Sequence, residues 1–132
     1  MFRLIISIII GWILGRERKK HHKDAGGSRT LAIVSLASCL IAIISLKILN
    51  DINPTTFNFS RMMAYAIVGI SFLCSAVISH HKNSIDGTTT AALIWAAVII
   101  NLCIGLGFWF YGIVSAIFVY LILESKYYLK EK

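Results

Sequence analysis

Apolar and polar positions fall in long blocks along this chain. Apolar runs cover Phe2 to Gly15, Leu31 to Leu49, Met62 to Ser79, Thr88 to Ile104 and Phe108 to Leu123, with short polar or glycine-bearing links between them. A bilayer-crossing helix needs about 20 predominantly apolar residues, with a range of about 17 to 25. The last four runs meet or approach that length. The first is shorter: at about 1.5 Å per residue, Phe2 to Gly15 rises about 21 Å against a hydrocarbon core of about 30 Å. It therefore relies on local thinning or on Arg3 snorkelling outward, or the true start lies upstream; four spans without it would keep the basic block Arg16 to Lys20 inside just as well. The pattern predicts an all-α polytopic transmembrane bundle of about five spans (2–15, 31–49, 62–79, 88–104 and 108–123). These form one domain over residues 1–132 that includes a short basic tail, 124–132.

From Thr88 to Leu123 the apolar character is nearly unbroken, so the chain must reverse inside it. Gly105 and Gly107 mark the place, because glycine tolerates the positive φ values of a tight turn. Trp109, Phe110 and Tyr111 follow at once and suit an interfacial aromatic belt.

Composition agrees with this reading. The chain is 58% hydrophobic with a mean hydropathy of +0.78, well above the roughly half-apolar usage of soluble domains. A cleaved signal peptide does not fit, since the first run ends in Arg16-Glu17-Arg18-Lys19-Lys20 and not in small residues. Of the 13 basic residues, only Arg3, Lys47 and Arg61 fall outside if the first loop is cytoplasmic. The positive-inside rule then places the N-terminus out and the C-terminus in. The formal charge of +7 sits beside the predicted spans and not on an aromatic-bearing soluble face, which argues against nucleic acid and for anionic lipid headgroups as the charge partner. Cys39, Cys74 and Cys103 lie inside apolar runs, with neither disulfide nor zinc spacing.

Two helix faces stand out. Ser71, Ser75 and Ser79 recur every four positions near Gly69, a small-residue stripe of the kind that lets helices approach closely in lipid. Thr90, Ala97 and Asn101 share one face of the fourth run. These two faces are expected to meet.

The order Arg61, Gly69-Ile70-Ser71-Phe72-Leu73, Val77-Ile78, Gly87-Thr88-Thr89-Thr90-Ala91-Ala92, Trp95 and Gly105-Leu106-Gly107-Phe108 resembles the MgtC/SapB family of bacterial inner-membrane proteins. Gly11, Gly15-Arg16-Glu17-Arg18 and Gly26-Gly27-Ser28-Arg29-Thr30 resemble its first-loop signature, a glutamate-arginine pair followed by Gly-x-Arg-Thr. The chain departs from the family pattern at Ser71, Cys74, Ser75 and Ala76, where a glycine-rich span is usual. It also has Asn101 where glycine is usual and Asp86 where a basic residue is common. The resemblance implies a multi-pass inner-membrane protein connected with magnesium homeostasis, acid stress and, in pathogens, virulence. It further implies a possible partnership with the F-type ATP synthase, long-suspected magnesium transport, and no enzymatic reaction. Longer members add a soluble C-terminal domain, which is not expected here.

Candidate sites follow from the topology. Glu17, Arg29, Thr30, Asp86, Thr88, Thr89 and Thr90 all fall on the cytoplasmic side. Either they form a polar cluster for a ligand or partner, helped by the free N–H groups of the fourth helix, or Asp86 or Thr88 caps that helix while Glu17 pairs with Arg29. Asn101, with Ser71 and Ser75, supplies intramembrane polarity, either as interhelical glue or as an ion contact, including in a homo-oligomeric pore. Arg61 is expected to snorkel. His21-His22 and His80-His81 are solvated loop residues by default; pH sensing is the next alternative, and metal ligation is disfavoured because adjacent residues diverge on a helix. No cofactor is expected. The function expected is a regulator that binds another membrane complex. The alternative is a magnesium or proton transporter or channel, against which stands the absence of acidic groups at mid-membrane.

Overall fold

The computed structural model describes residues 1–21, 27–51, 58–81 and 84–128. Pro54 with most of the second loop, Lys23, His22, Lys82 and the tail from 129 onward lie outside the described residues. Among the described residues, five helices follow the five apolar runs: α1 Phe2–His21, α2 Ser28–Asp51, α3 Phe59–Val77, α4 Thr88–Leu106 and α5 Trp109–Tyr128. Among the described residues, α2, α3 and α4 are long and apolar enough to cross a membrane, and α5 carries a shorter apolar stretch, Trp109–Ser125. α1 is a 20-residue helix that runs through the basic block Arg16 to Lys20. It would rise about 30 Å, not the 21 Å of its apolar part. The chain is a helical membrane bundle.

Local chemistry sets the helix ends. Asn58 caps α3 by accepting from the Arg61 backbone N–H at 3.0 Å and from Ser60 Oγ at 2.8 Å, as short polar side chains do at N-caps. Helix α3 stops at Val77, two residues before the expected end. The polar link is an antiparallel hairpin, β1 Ser79–His81 and β2 Ser84–Asp86, with Ser79 opposite Asp86 and His81 opposite Ser84. Gly87 follows with φ 89° and lies so close to the Val77 carbonyl that a Cβ would collide with it. The hairpin thus returns the chain directly onto the end of α3.

The reversal between α4 and α5 occurs at Gly107, φ 100°. Its N–H donates to the Ile104 carbonyl at 3.1 Å, and the Phe108 N–H donates to Cys103 at 3.0 Å. That pair of bonds is a Schellman closure, which needs a left-handed residue. Gly105 does not take part in the turn, contrary to the sequence expectation. It is the last buried residue of α4, and a Cβ there would lie 2.6 Å from both the Cys39 carbonyl oxygen and Ala42 Cβ.

Helix α4 occupies the centre. Its buried residues include Leu93, Ile94, Ala97, Val98, Ile100, Leu102 and Ile104, so it is covered on nearly every side, and α2 flanks it with Leu31, Val34, Cys39 and Ala42. By contrast, α3 has no buried residue; it rests on Val34, Ile94, Val98 and Leu102 through Met63, Ile67, Ile70, Cys74 and Val77.

Candidate functional site

The best-defined polar feature is a buried seam joining α1, α2 and α4. Gly11 and Gly15, one turn apart on α1, pack against α2. A Cβ on Gly11 would strike the Ser35 hydroxyl and lie 2.7 Å from the Leu31 carbonyl oxygen, and one on Gly15 would strike Ser28. This close approach lets Ser7 Oγ donate to the Ser35 carbonyl at 2.7 Å and Cys39 Sγ donate to the Arg3 carbonyl at 3.6 Å. Across the seam, Asn101 Nδ2 donates to Ser35 Oγ at 2.9 Å and to the Ala97 carbonyl at 2.7 Å. Asn101 is fully buried, and its Oδ1 has no hydrogen-bond partner among the described residues. An unpaired buried amide oxygen costs about 1–3 kcal/mol. Asn101 therefore ties the helices together with half of its capacity unused.

At the other end of the seam, Arg3 Nη1 donates to the Gly105 carbonyl at 2.9 Å. The exposed Arg3 thus serves a terminal carbonyl of α4, where a cation also meets the negative end of the helix dipole. Arg61, at the start of α3, is exposed.

The expected cytoplasmic cluster divides. Glu17 and Thr90 are buried, at 7% and 2% exposure, whereas Arg29, Thr30, Asp86, Thr88 and Thr89 are exposed. Neither Asp86 nor Thr88 caps α4. The cap position is Gly87, which offers no side chain, and its carbonyl accepts the first helical bond from the Ala91 N–H at 2.9 Å. The left-handed turn that brings Gly87 against Val77 excludes a residue with a side chain there.

The serine stripe of α3 is also placed differently. Ser71 and Ser75 are exposed, and Ser75 Oγ donates to the Phe72 carbonyl of its own helix at 2.8 Å. Gly69 faces open space, and the side chain of Ser79 lies outside the described residues. Helix α3 meets α4 through Met63, Ile67, Ile70, Cys74 and Val77, while Tyr65, Val68 and Phe72 are exposed. The buried face of α4, with Thr90, Ala97 and Asn101, is met by Ser35 of α2. Trp95 lies on the outward side of α4, 45% exposed.

The seam went unread in the sequence although Gly11 and Gly15 carry its signal, a small-x-x-x-small spacing inside an apolar run. The side chains of His21, His80 and His81 lie outside the described residues, and among those described no group of three or more His, Cys, Asp or Glu could hold a metal.

A helical bundle with glycine-serine helix contacts, an amide in its centre and long apolar helices defines a helical membrane protein. Residues 4–132 match the model of the MgtC family. The chain belongs to that family. An uncharacterized protein of Haemophilus influenzae is 32% identical over 122 residues, covering 89% of this chain and 51% of the relative. Protein SapB of Bacillus subtilis is 30% identical over 129 residues, covering 94% and 55%. YhiD of Escherichia coli K12, whose name gives it as a candidate magnesium transporter, is 32% identical over 127 residues, covering 94% and 59%. The chain thus spans between half and three fifths of the length of these three relatives. No solved structure matches it.

Proposed function

We propose that this chain is a non-enzymatic regulator in the bacterial inner membrane, with its N-terminus outside and C-terminus inside. It would support adaptation to low magnesium or acid, and survival in a host where the bacterium is a pathogen, by binding another membrane complex such as the F-type ATP synthase. The observation that carries this reading is the chemistry of the interior. Among the described residues away from the helix ends, the buried polar groups are the hydroxyls of Ser7, Ser35, Ser38 and Ser45 and the amide of Asn101. The described carboxylates, the buried Glu17 and also Asp51, Asp86 and Glu124, lie within five residues of a helix end or in links. Magnesium keeps its waters and prefers carboxylate or phosphate oxygen, so this interior offers it a poor path.

Magnesium or proton transport is the second reading, favoured by the name of the E. coli relative and by the unpaired Asn101 Oδ1. Reconstitution in liposomes separates the two. The regulator reading expects magnesium and proton flux no greater than in empty vesicles, together with a discrete membrane complex that co-purifies with the chain. Flux that Asn101→Ala abolishes would overturn it.

A further inference from the structure

Two arginines from the two halves of the first-loop signature reach one hollow. Arg16 near the end of α1 and Arg29 in the first turn of α2 line a space of about 410 Å³ with Ile8, Trp12, Ser28 and Ala32. Ile8, Trp12 and Arg16 are four residues apart and so lie along one face of α1. Gly15 seated on Ser28 brings the start of α2 alongside that face. The hollow is therefore a slot about 12 Å long, cationic at its outer end and apolar toward the middle of the bundle. No carboxylate lines it among the described residues. The indole of Trp12, 56% exposed, stands at the boundary, the position tryptophan takes at a membrane interface.

We propose that this slot is a binding site for an anionic phospholipid, with the headgroup phosphate between Arg16 and Arg29 and the start of one acyl chain along Trp12, Ile8 and Ala32. Guanidinium forks match phosphate oxygens bidentately, and Ser28 lines the same hollow. A free phosphate would satisfy only the cationic end. The apolar lower half, open to the bilayer along α1, selects a lipid over a soluble anion. The site is independent of whether the chain regulates or transports.

The test uses the full chain with Trp95→Phe and Trp109→Phe, which leaves Trp12 as the reporter, in phosphatidylcholine nanodiscs. Phosphatidylglycerol with brominated acyl chains is expected to quench Trp12 at about one tenth of the mole fraction that brominated phosphatidylcholine requires. Arg16→Gln with Arg29→Gln removes that preference, while Arg61→Gln keeps it. Raising salt from about 50 to about 500 mM weakens the preference, and inorganic phosphate at matched ionic strength does not displace the lipid. Equal quenching by the two lipids, a preference untouched by the double substitution or by salt, or displacement by inorganic phosphate would each overturn the assignment. The salt and phosphate measurements use the reporter chain itself, so they decide even if the double variant does not fold.

Discussion

The contact of α1 with α2 and the contact of α3 with α4 use similar residue types in opposite ways. In the first, glycines and serines face inward, backbones approach closely, and the Ser7 hydroxyl donates across to the Ser35 carbonyl at 2.7 Å, while the Ser35 hydroxyl accepts from the Asn101 amide of α4 at 2.9 Å. In the second, Gly69, Ser71 and Ser75 face outward and the contact is made by isoleucine, methionine and valine, with Cys74 Sγ donating to the Ala91 carbonyl at 3.3 Å. Small residues therefore do not by themselves mark the inner face of a helix in this bundle. What marks it is a neighbouring backbone close enough to exclude a Cβ.

The sharpest way to break the comparison is to fill both kinds of glycine. Gly11→Val or Gly105→Val forces side-chain atoms into a neighbouring backbone and should cost about 1–3 kcal/mol or more, read as an earlier unfolding midpoint in a sodium dodecyl sulfate titration. Gly69→Val should stay within about 0.5 kcal/mol. Equal losses at Gly11 and Gly69 would dissolve the distinction. Next in size, Gly107→Ala should cost about 1–2 kcal/mol by placing an L side chain in the left-handed region, with Gly107→Asn closer to the parent. Smaller still is the coupling between Asn101 and Ser35. A double-mutant cycle with alanine at each should give about 0.6 kcal/mol and at most about 1.7; additive losses would mean that their 2.9 Å hydrogen bond contributes nothing beyond packing. The least effect is expected from Ser71→Leu and Ser75→Leu, each within about 0.5 kcal/mol, since both positions are exposed.

Hydropathy alone located all five helices, because run length and charge interruptions are one-dimensional quantities. Periodicity also placed Thr90, Ala97 and Asn101 on one face of α4, and all three are buried. It could not supply that face with a partner. Both Ser35 and the Ser71-Ser75 stripe were chemically suitable, and α3 carries large apolar residues both toward α4 (Ile67, Ile70, Val77) and exposed (Val68, Phe72), so hydropathy does not select its inward side. The division of the expected polar cluster has a similar cause: Thr89 and Thr90 are adjacent, yet a step of about 100° around the helix leaves one exposed and the other 2% exposed. Gly105 and Gly107 looked interchangeable as turn residues until the carbonyls of Ile104 and Cys103 selected Gly107.

The bond from Arg3 to the Gly105 carbonyl joins residues separated by 102 positions, and this separation bears on the order of assembly. At about 5–20 residues added per second, the first helix would leave the ribosome about 5–20 s before its acceptor exists. During that interval the first two helices can form their glycine-serine hairpin, while the Arg3 guanidinium has no carbonyl of α4 to serve. Arg3 is thus secured by a helix made about a hundred residues later, so insertion of α4 supplies the partner that α1 and α2 leave missing.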